Sequence, residues 1–262
     1  MSPDGSSLDP PGTLPEGPAL RRLPLVPLHT VLFPGAALPL SIFERRYRQM
    51  IGECLESEPP EFGVVLLKAG DEVLEDALTG ELRGRPPVPH EVGTVARIVD
   101  SLRLPDGRLH LVCLGVRRLR VCELVQELPY LVAGVALLVD EDEACGDAAL
   151  LDLAAGVRAA VQRLLSSIEQ SLPEACLAER RQLQALVRRM PVRPSELSFF
   201  VPRTLSTATT AELQQLLEAP SARERLRLEL PFLAREQQVL RQLLYLGRQG
   251  LPGRGFGGIM PT

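Results

Sequence analysis

Tryptophan is absent from the 262-residue chain, and lysine occurs once, as Lys68. Positive charge is therefore carried almost entirely by arginine, whose guanidinium does not lose its proton in proteins. A Ser–Lys catalytic dyad would have to use Lys68, which ends an apolar segment typical of a core strand. The sequence marks no serine as its partner, so the scarcity of lysine argues against this class of hydrolase.

Motifs of other catalytic and metal-binding sites are missing as well. The sequence contains no G-x-x-x-x-G-K-[ST] nucleotide loop, no H-E-x-x-H zinc motif and no G-x-S-x-G nucleophile motif. Its three histidines are isolated, and its five cysteines form no C-x-x-C pair. We therefore expect a chain that is not an enzyme, that holds no metal and no cofactor, and whose cysteines are reduced thiols.

Long apolar runs and targeting patterns are also lacking. No run approaches the roughly 18 apolar residues of a membrane-spanning helix. Residues 1–21 are rich in proline, glycine, serine and acids, without the basic start and apolar centre of a secretory signal. We expect a disordered tail there, no membrane partner and a cytoplasmic location. A flexible, glycine-rich tail is expected at 248–262.

Residues 22–140 have the patterns of short β-strands. The apolar run 62–68 has the length of a strand buried on both faces, and 92–99 is rich in β-branched residues. Pro105-Asp106-Gly107 lies between two apolar runs and predicts a hairpin, because proline presets φ and glycine accepts a positive φ. Further strands are expected at 23–28, 116–125 and 131–139.

One helix is predicted within this strand-rich region. Ser41 and Glu44 have the spacing of a capping box, with Ser41 as the N-cap. The helix would turn one apolar face inward, formed by Tyr47, Met50, Ile51, Cys54 and Leu55. Its arginines would then lie on the solvated side, and a site for an anionic partner is the alternative.

The acidic residues 141–148 predict a linker, because clustered like charges are costly to pack. Beyond it the apolar period becomes helical, with helices predicted at 149–170, 173–190, 195–201, 209–219 and 221–246. Thr209 is expected to cap the fourth of these helices. Pro231 is expected to kink or break the last one.

Several short motifs follow one another along the sequence in an order that is typical of one protein family. They are the L-P-L-x-P-L run 23–28, Phe33-Pro34-Gly35, Pro39-Leu40, Phe43-Glu44-Arg45-Arg46-Tyr47, and the segments 92–98 and 104–121. In this order they resemble the Lon protease N-terminal domain, also called the Lon substrate-binding domain, over about residues 22–247. The resemblance implies an α+β fold: a PUA-like β-barrel of about six or seven strands with one short helix at 22–140, then a helical bundle at 149–247. On this resemblance the prolines end short barrel strands.

Full Lon proteases continue into an ATPase module and a protease module, which this sequence does not contain. The chain therefore resembles the free-standing Lon-domain proteins. The resemblance implies a non-catalytic polypeptide-recognition module, an adaptor in protein quality control or degradation. Its expected partners are unfolded or specific protein substrates, and a separate protease is left open as a further partner.

Polypeptide recognition would require an exposed apolar groove, and the aromatic residues are the candidates for it. They are Phe33, Phe43, Tyr47, Phe199 and Phe200. For each of them packing in the core is the alternative, because a chain with few aromatics needs most of them in its interior. Phe33, in the Pro-Gly turn, is the aromatic residue expected to be exposed.

RNA binding is the alternative function, because PUA-like barrels occur in RNA-modifying proteins. A basic patch for it could combine Arg45, Arg46, Arg48, Arg117, Arg118 and Arg120. The strand-rich region is slightly acidic overall and lacks aromatics interleaved with its arginines, as stacking sites require. Nucleic acid is therefore the less favoured partner.

Overall fold

The structure is a computed structural model that describes residues 20–72, 84–140, 147–173 and 175–248. The predicted tails, apart from residues 20, 21 and 248, lie outside these residues. The acidic linker also lies outside them, except for Asp147 and Ala148.

The strands and helices follow one another in two blocks. The strands are β1 Arg21–Leu28, β2 Ala37–Ile42, β3 Glu61–Ala69, β4 Val88–Arg103, β5 Leu109–Gln126 and β6 Leu131–Leu137. The helices are α1 Arg45–Leu55, α2 Ala148–Ser171, α3 Leu177–Arg188, α4 Pro194–Phe200, α5 Thr210–Glu218 and α6 Ala222–Arg248, with a 3₁₀ turn at Val201–Thr204. We refer to residues 20–140 as the strand part and to residues 147–248 as the helical part.

The strand part is a closed barrel. The hydrogen-bonded order runs β5-β4-β3-β1-β6, and β6 pairs back to β5, while β2 pairs with the first half of β5. Among the strands of the described residues, β1 and β3 form the only parallel pair. The closure is possible because β5 is long and carries register shifts against both β4 and β6, which bend it around the barrel. The predicted strands, the both-face burial of β3 and the hairpin at Gly107 are confirmed.

The prolines of the first strands do not end them, so that expectation is wrong. Pro24 and Pro27 lie inside β1, and Pro39 lies inside β2. Backbone N–H groups alternate between the two edges of a strand, so each proline removes one donor and leaves the rest of the ladder. The turn at Phe33-Pro34-Gly35 is confirmed: Ala36 N donates to Phe33 O over 3.0 Å, and Gly35 has a φ of 77°.

Helix α1 begins later than predicted. Its N-cap is Glu44, and Ser41 belongs to β2, where its Oγ lies 3.0 Å from His110 Nδ1. The capping box predicted for Ser41 is therefore wrong, because the pairing of β2 with β5 extends through Ile42. The predicted apolar face is buried except for Leu55, which is exposed.

The helical part differs from prediction at its prolines. Helix α3 starts at Leu177 and leaves Pro173 outside its first turn. Helix α6 continues through Pro231, so the expected break is wrong, whereas the expected kink stays a prediction; the exposed position of Pro231 lets water satisfy the carbonyl that loses its donor. Thr209 caps α5 with a full capping box, as predicted.

Three apolar clusters hold the structure together. One joins α1 to the strands through Met50, Ile51 and Phe62, and one fills the barrel around Leu25 and Leu119. The third is the core of the helical part, and it includes Phe33 and Val92 from the strand part. Because its members come from both parts, this cluster fixes the helices against the barrel.

Candidate functional site

A cleft of about 890 Å³ opens where the two parts meet. One wall is formed by the Pro34-Gly35 turn, by β5 at Val116 and by the residues after β6. The other wall is formed by α3, by the connection to α4 and by the 3₁₀ turn. A concave surface at such a junction, with apolar and polar lining, is where ligands of proteins usually bind.

Gly115 positions the first wall. Its N–H donates to Ala36 O and its carbonyl accepts from Gly35 N, both over 2.8 Å. A Cβ atom at this position would lie 2.3 Å from Phe33 O, so only glycine allows the turn to approach β5. This contact accounts for the glycine at position 115, within the family segment 104–121, and sets Val116 and Arg117 at the cleft.

Apolar side chains cover much of the cleft. Val139 and Val116 are 62% and 37% exposed, and Phe200 is buried. The half-buried apolar side chains of the lining are Pro34, Leu138, Ala185, Leu186, Pro191 and Phe199. These side chains can make apolar contacts with a bound ligand.

Arginines line the same cleft. Arg203 donates from Nη1 to Gly35 O over 3.3 Å, and Arg193 Nη1 lies 3.7 Å from Glu196 Oε1 in an exposed pair. In the described part of the chain, Arg117 and Arg189 form no ion pair. The cleft therefore combines apolar surface with cations that are free to bind an anion.

A buried ion network lies behind the cleft and links the two parts. Asp140, after β6, accepts from Arg118 of β5 at Oδ1 and from Arg225 of α6 at Oδ2, the latter over 2.5 Å. Arg118 also donates to Leu217 O and Ala219 O over 2.9 and 2.6 Å. All three side chains of this Arg118–Asp140–Arg225 network are at most 5% exposed.

The two arginines of the network stay charged at neutral pH despite their burial. Burial lowers the pKa of Arg225 to about 10, and Asp140 opposes this shift. The pKa of Arg118 is lowered for the same reason, again against the effect of Asp140. The Arg225 guanidinium also lies 3.9 Å from the ring centroid of Phe199, which holds that ring at the edge of the cleft.

The predicted aromatic residues do not form one surface. Phe33 is buried at 3% exposure, so its expected exposure is wrong: the core of the helical part covers it. Tyr47 is buried beneath the Arg46 guanidinium, and burial raises the pKa of its hydroxyl to about 12. Phe199 and Phe200 do lie at the cleft, whereas Phe43 is 49% exposed and is not among the residues that line it.

The predicted basic patch is also divided. Arg46 is buried, pairs with Glu44 over 2.9 Å and donates to Glu72 O over 3.1 Å, so its expected solvated position is wrong. Arg118 is buried and pairs with Asp140 in the network, and Arg48 is half-buried. Arg45, Arg117 and Arg120 are exposed, and of these only Arg117 lines the cleft.

Sequence reasoning missed the site residues Arg189, Arg193, Arg203 and Val139, which the structure places together at the cleft. Arginines at the end of a helix are explained by their favourable interaction with the helix dipole. The arginines at the end of α3 therefore did not indicate a binding site. The cleft depends on how α3 and α4 pack against β5, which involves residues far apart in the chain.

Metal-binding clusters and membrane-spanning helices are both absent from the described residues. No group of three or more His, Cys, Asp or Glu side chains in them is arranged to hold a metal ion. Likewise, no helix within the described ranges is long and apolar enough to cross a membrane.

The fold is thus that of an α+β protein in which a closed barrel carries a helical bundle. The family model of the ATP-dependent protease La (LON) substrate-binding domain matches residues 22–235. The chain therefore belongs to this family, which confirms the resemblance noted in the sequence.

Relatives and solved structures agree with this assignment. The chain is 28% identical to Lon protease 2 of Myxococcus xanthus over 90% of its length and 30% identical to the Lon protease of Methylocella silvestris over 95%. It covers only 26% and 29% of those two proteins. The chain spans about a quarter of the length of the curated relatives it matches.

Two solved structures share the fold. A Lon N-terminal domain protein from Xanthomonas campestris is 26% identical, with a TM-score of 0.50, over 79% of this chain and 96% of that one. The N-terminal domain of a Mycobacterium avium complex Lon protease is 20% identical, with a TM-score of 0.58, over 82% and 98%. The expected α+β class, with a barrel followed by helices, is confirmed.

Proposed function

We propose that this chain is a non-catalytic polypeptide-recognition module that binds protein segments in the cleft between its strand and helical parts. The observation that carries the proposal is the cleft itself, where exposed apolar side chains lie beside arginines that form no ion pair within the described chain. Membership of a substrate-binding domain family supports the same function.

The lining of the cleft supports recognition without catalysis. Among its described residues Ser195 supplies the only side-chain hydroxyl, and no histidine, cysteine or lysine lines the cleft with it. Nucleophilic catalysis by a serine requires a neighbouring base. We further propose that the chain acts in the cytoplasm as an adaptor for protein quality control or degradation. In that role a separate protease would receive the bound substrates.

The proposal is tested by titrating a labelled, permanently unfolded polypeptide with the chain and following fluorescence anisotropy at two salt concentrations. We expect saturable binding that survives high salt, because apolar contacts are not screened. Val139→Asp places a charge among the apolar contacts and should weaken binding about tenfold. The matched control is Val99→Asp on β4, since Val99 is 56% exposed and lies outside the cleft.

Equal affinity of the native chain and Val139→Asp would move the binding site away from the cleft. Absence of binding by the native chain would contradict the proposed function. A structured RNA that binds at low salt and dissociates as salt rises would favour the alternative function instead.

A further inference from the structure

The cleft contains more positive charge than its own carboxylates can balance. Four arginines reach it besides Arg118, and Asp140 and Glu196 are the acidic residues of its described lining. Both oxygens of Asp140 are already bonded to the arginines of the buried network. Glu196 pairs with Arg193, and exposed ion pairs of this kind contribute little free energy.

The excess charge comes from both walls of the cleft. Arg117 belongs to β5, next to Val116, whereas Arg189 follows α3 and Arg203 lies on the 3₁₀ turn. The dipole of α3 accounts for a cation at Arg189, but not for one at Arg117 on a strand. Like charges gathered around a concave surface raise the local potential there and attract an anion.

The apolar surface between these arginines restricts the anion that fits. Val116 and Val139 are exposed in the cleft and would be left without a partner beneath a phosphate backbone. Stacking of bases requires open aromatic faces. The ring of Phe199 is half-buried and covered by the Arg225 guanidinium, so it offers little for stacking.

We propose that the cleft selects polypeptide segments in which carboxylates flank an aliphatic side chain. The carboxylates would pair with Arg117 and Arg189, and the aliphatic side chain would contact Val116, Val139 and Leu186. Arginine suits this role because its planar guanidinium can bind both oxygens of a carboxylate. This inference rests on the proposed function and narrows its substrates to acidic segments.

The test compares two labelled peptides with blocked termini that differ only in charge. One has the core Glu-Leu-Glu-Leu, and the other has Gln-Leu-Gln-Leu. At low salt the glutamate peptide should bind about tenfold more tightly, since each ion pair contributes a few-fold. The preference should shrink as salt rises, because screening weakens the ion pairs and not the apolar contacts.

Arg117→Gln combined with Arg189→Gln should remove the preference, so that the two peptides bind with equal affinity. The matched control is Arg120→Gln combined with Arg181→Gln, which changes two exposed arginines on β5 and α3 outside the cleft. This control should keep the preference.

Three results would overturn the inference, and they differ in their meaning for the proposed function. If the native chain bound both peptides equally and Val139→Asp weakened both, the cleft would still recognise polypeptides but would not select acidic ones. Loss of the preference in the control variant would assign it to general surface charge. Failure of both peptides and of the unfolded polypeptide to bind would remove the proposed function as well.

Discussion

Glu229, in the first third of α6, is a carboxyl group placed where water cannot reach it. It is fully buried, and within the described structure neither of its oxygens has a hydrogen-bond partner. Burial raises its pKa well above 4.5, and the positive charge of Arg225 opposes the shift only partly. The folded state therefore binds a proton that the unfolded state releases between these two pKa values, so stability falls as pH rises through this range.

Glu229→Gln should thus make the chain more stable at pH 8, by roughly 1–2 kcal/mol, because glutamine keeps the shape and does not titrate. The gain should shrink toward pH 5, because the pH then approaches the ordinary glutamate pKa of 4.5 and keeping the proton in the folded state costs less free energy. Urea unfolding of both proteins at the two pH values measures this. Glu224→Gln, exposed on the same helix, should change stability equally at both. A gain independent of pH would show that ionisation of Glu229 is not the cause.

The burial of a residue was predicted wrongly where it depends on segments far away in the chain. Phe33 lies in a correctly predicted turn, but the helices that cover it begin more than a hundred positions later. Arg46 was expected on the solvated side of α1 with the other arginines, yet it is buried with Glu44 and the carbonyl of Glu72. Local sequence patterns predict the secondary structure of a segment. They do not predict which other part of the chain will pack over that segment.

At the scale of elements, the same pattern gave two outcomes. Ser41 and Thr209 are each followed three positions later by glutamate, at Glu44 and Glu212. Thr209 caps α5, whereas Ser41 is held in β2 by its pairing with His110. A capping box forms only if its first residue does not belong to a β-strand. Whether that residue joins a strand depends on its pairing partner elsewhere in the sheet. This is why the helices were predicted better than their boundaries.

Thr209→Ala should destabilise the chain by about 1 kcal/mol through loss of the cap. Thr209 Oγ1 accepts from Glu212 N over 3.3 Å, and Glu212 accepts in return from Thr209 N over 2.7 Å. Arg235 of α6 and this N–H lower the pKa of Glu212 to about 2, so the arrangement stays ionised at neutral pH. Thermal unfolding at pH 7 measures the loss, and Thr209→Ser, which keeps the hydroxyl, should recover most of it. Equal losses in both variants would mean that the methyl group matters and the cap does not.

For the whole molecule, the division into a barrel at 22–140 and a bundle at 149–247 stays a prediction. The contacts across that boundary favour a single cooperative unit. Phe33 and Val92 of the strand part lie in the core of the helices, and Gln214 Nε2 donates to Val92 O over 3.0 Å. We therefore propose that the two parts fold together even though each has its own type of secondary structure.

Asp140 provides the sharpest test of this coupling, because it joins the parts directly through Arg118 and Arg225. Asp140→Asn would leave two buried guanidinium groups without their carboxylate, which should cost about 3–5 kcal/mol. Because the network spans both parts, helix and strand signals should be lost together, at a lower urea concentration than in the native chain. Asp152→Asn, on the exposed side of α2, is the control and should change little. If the helical signal disappeared first while the barrel persisted, the parts would be independent, and the cleft would have to be regarded as a movable junction between them rather than a preformed site.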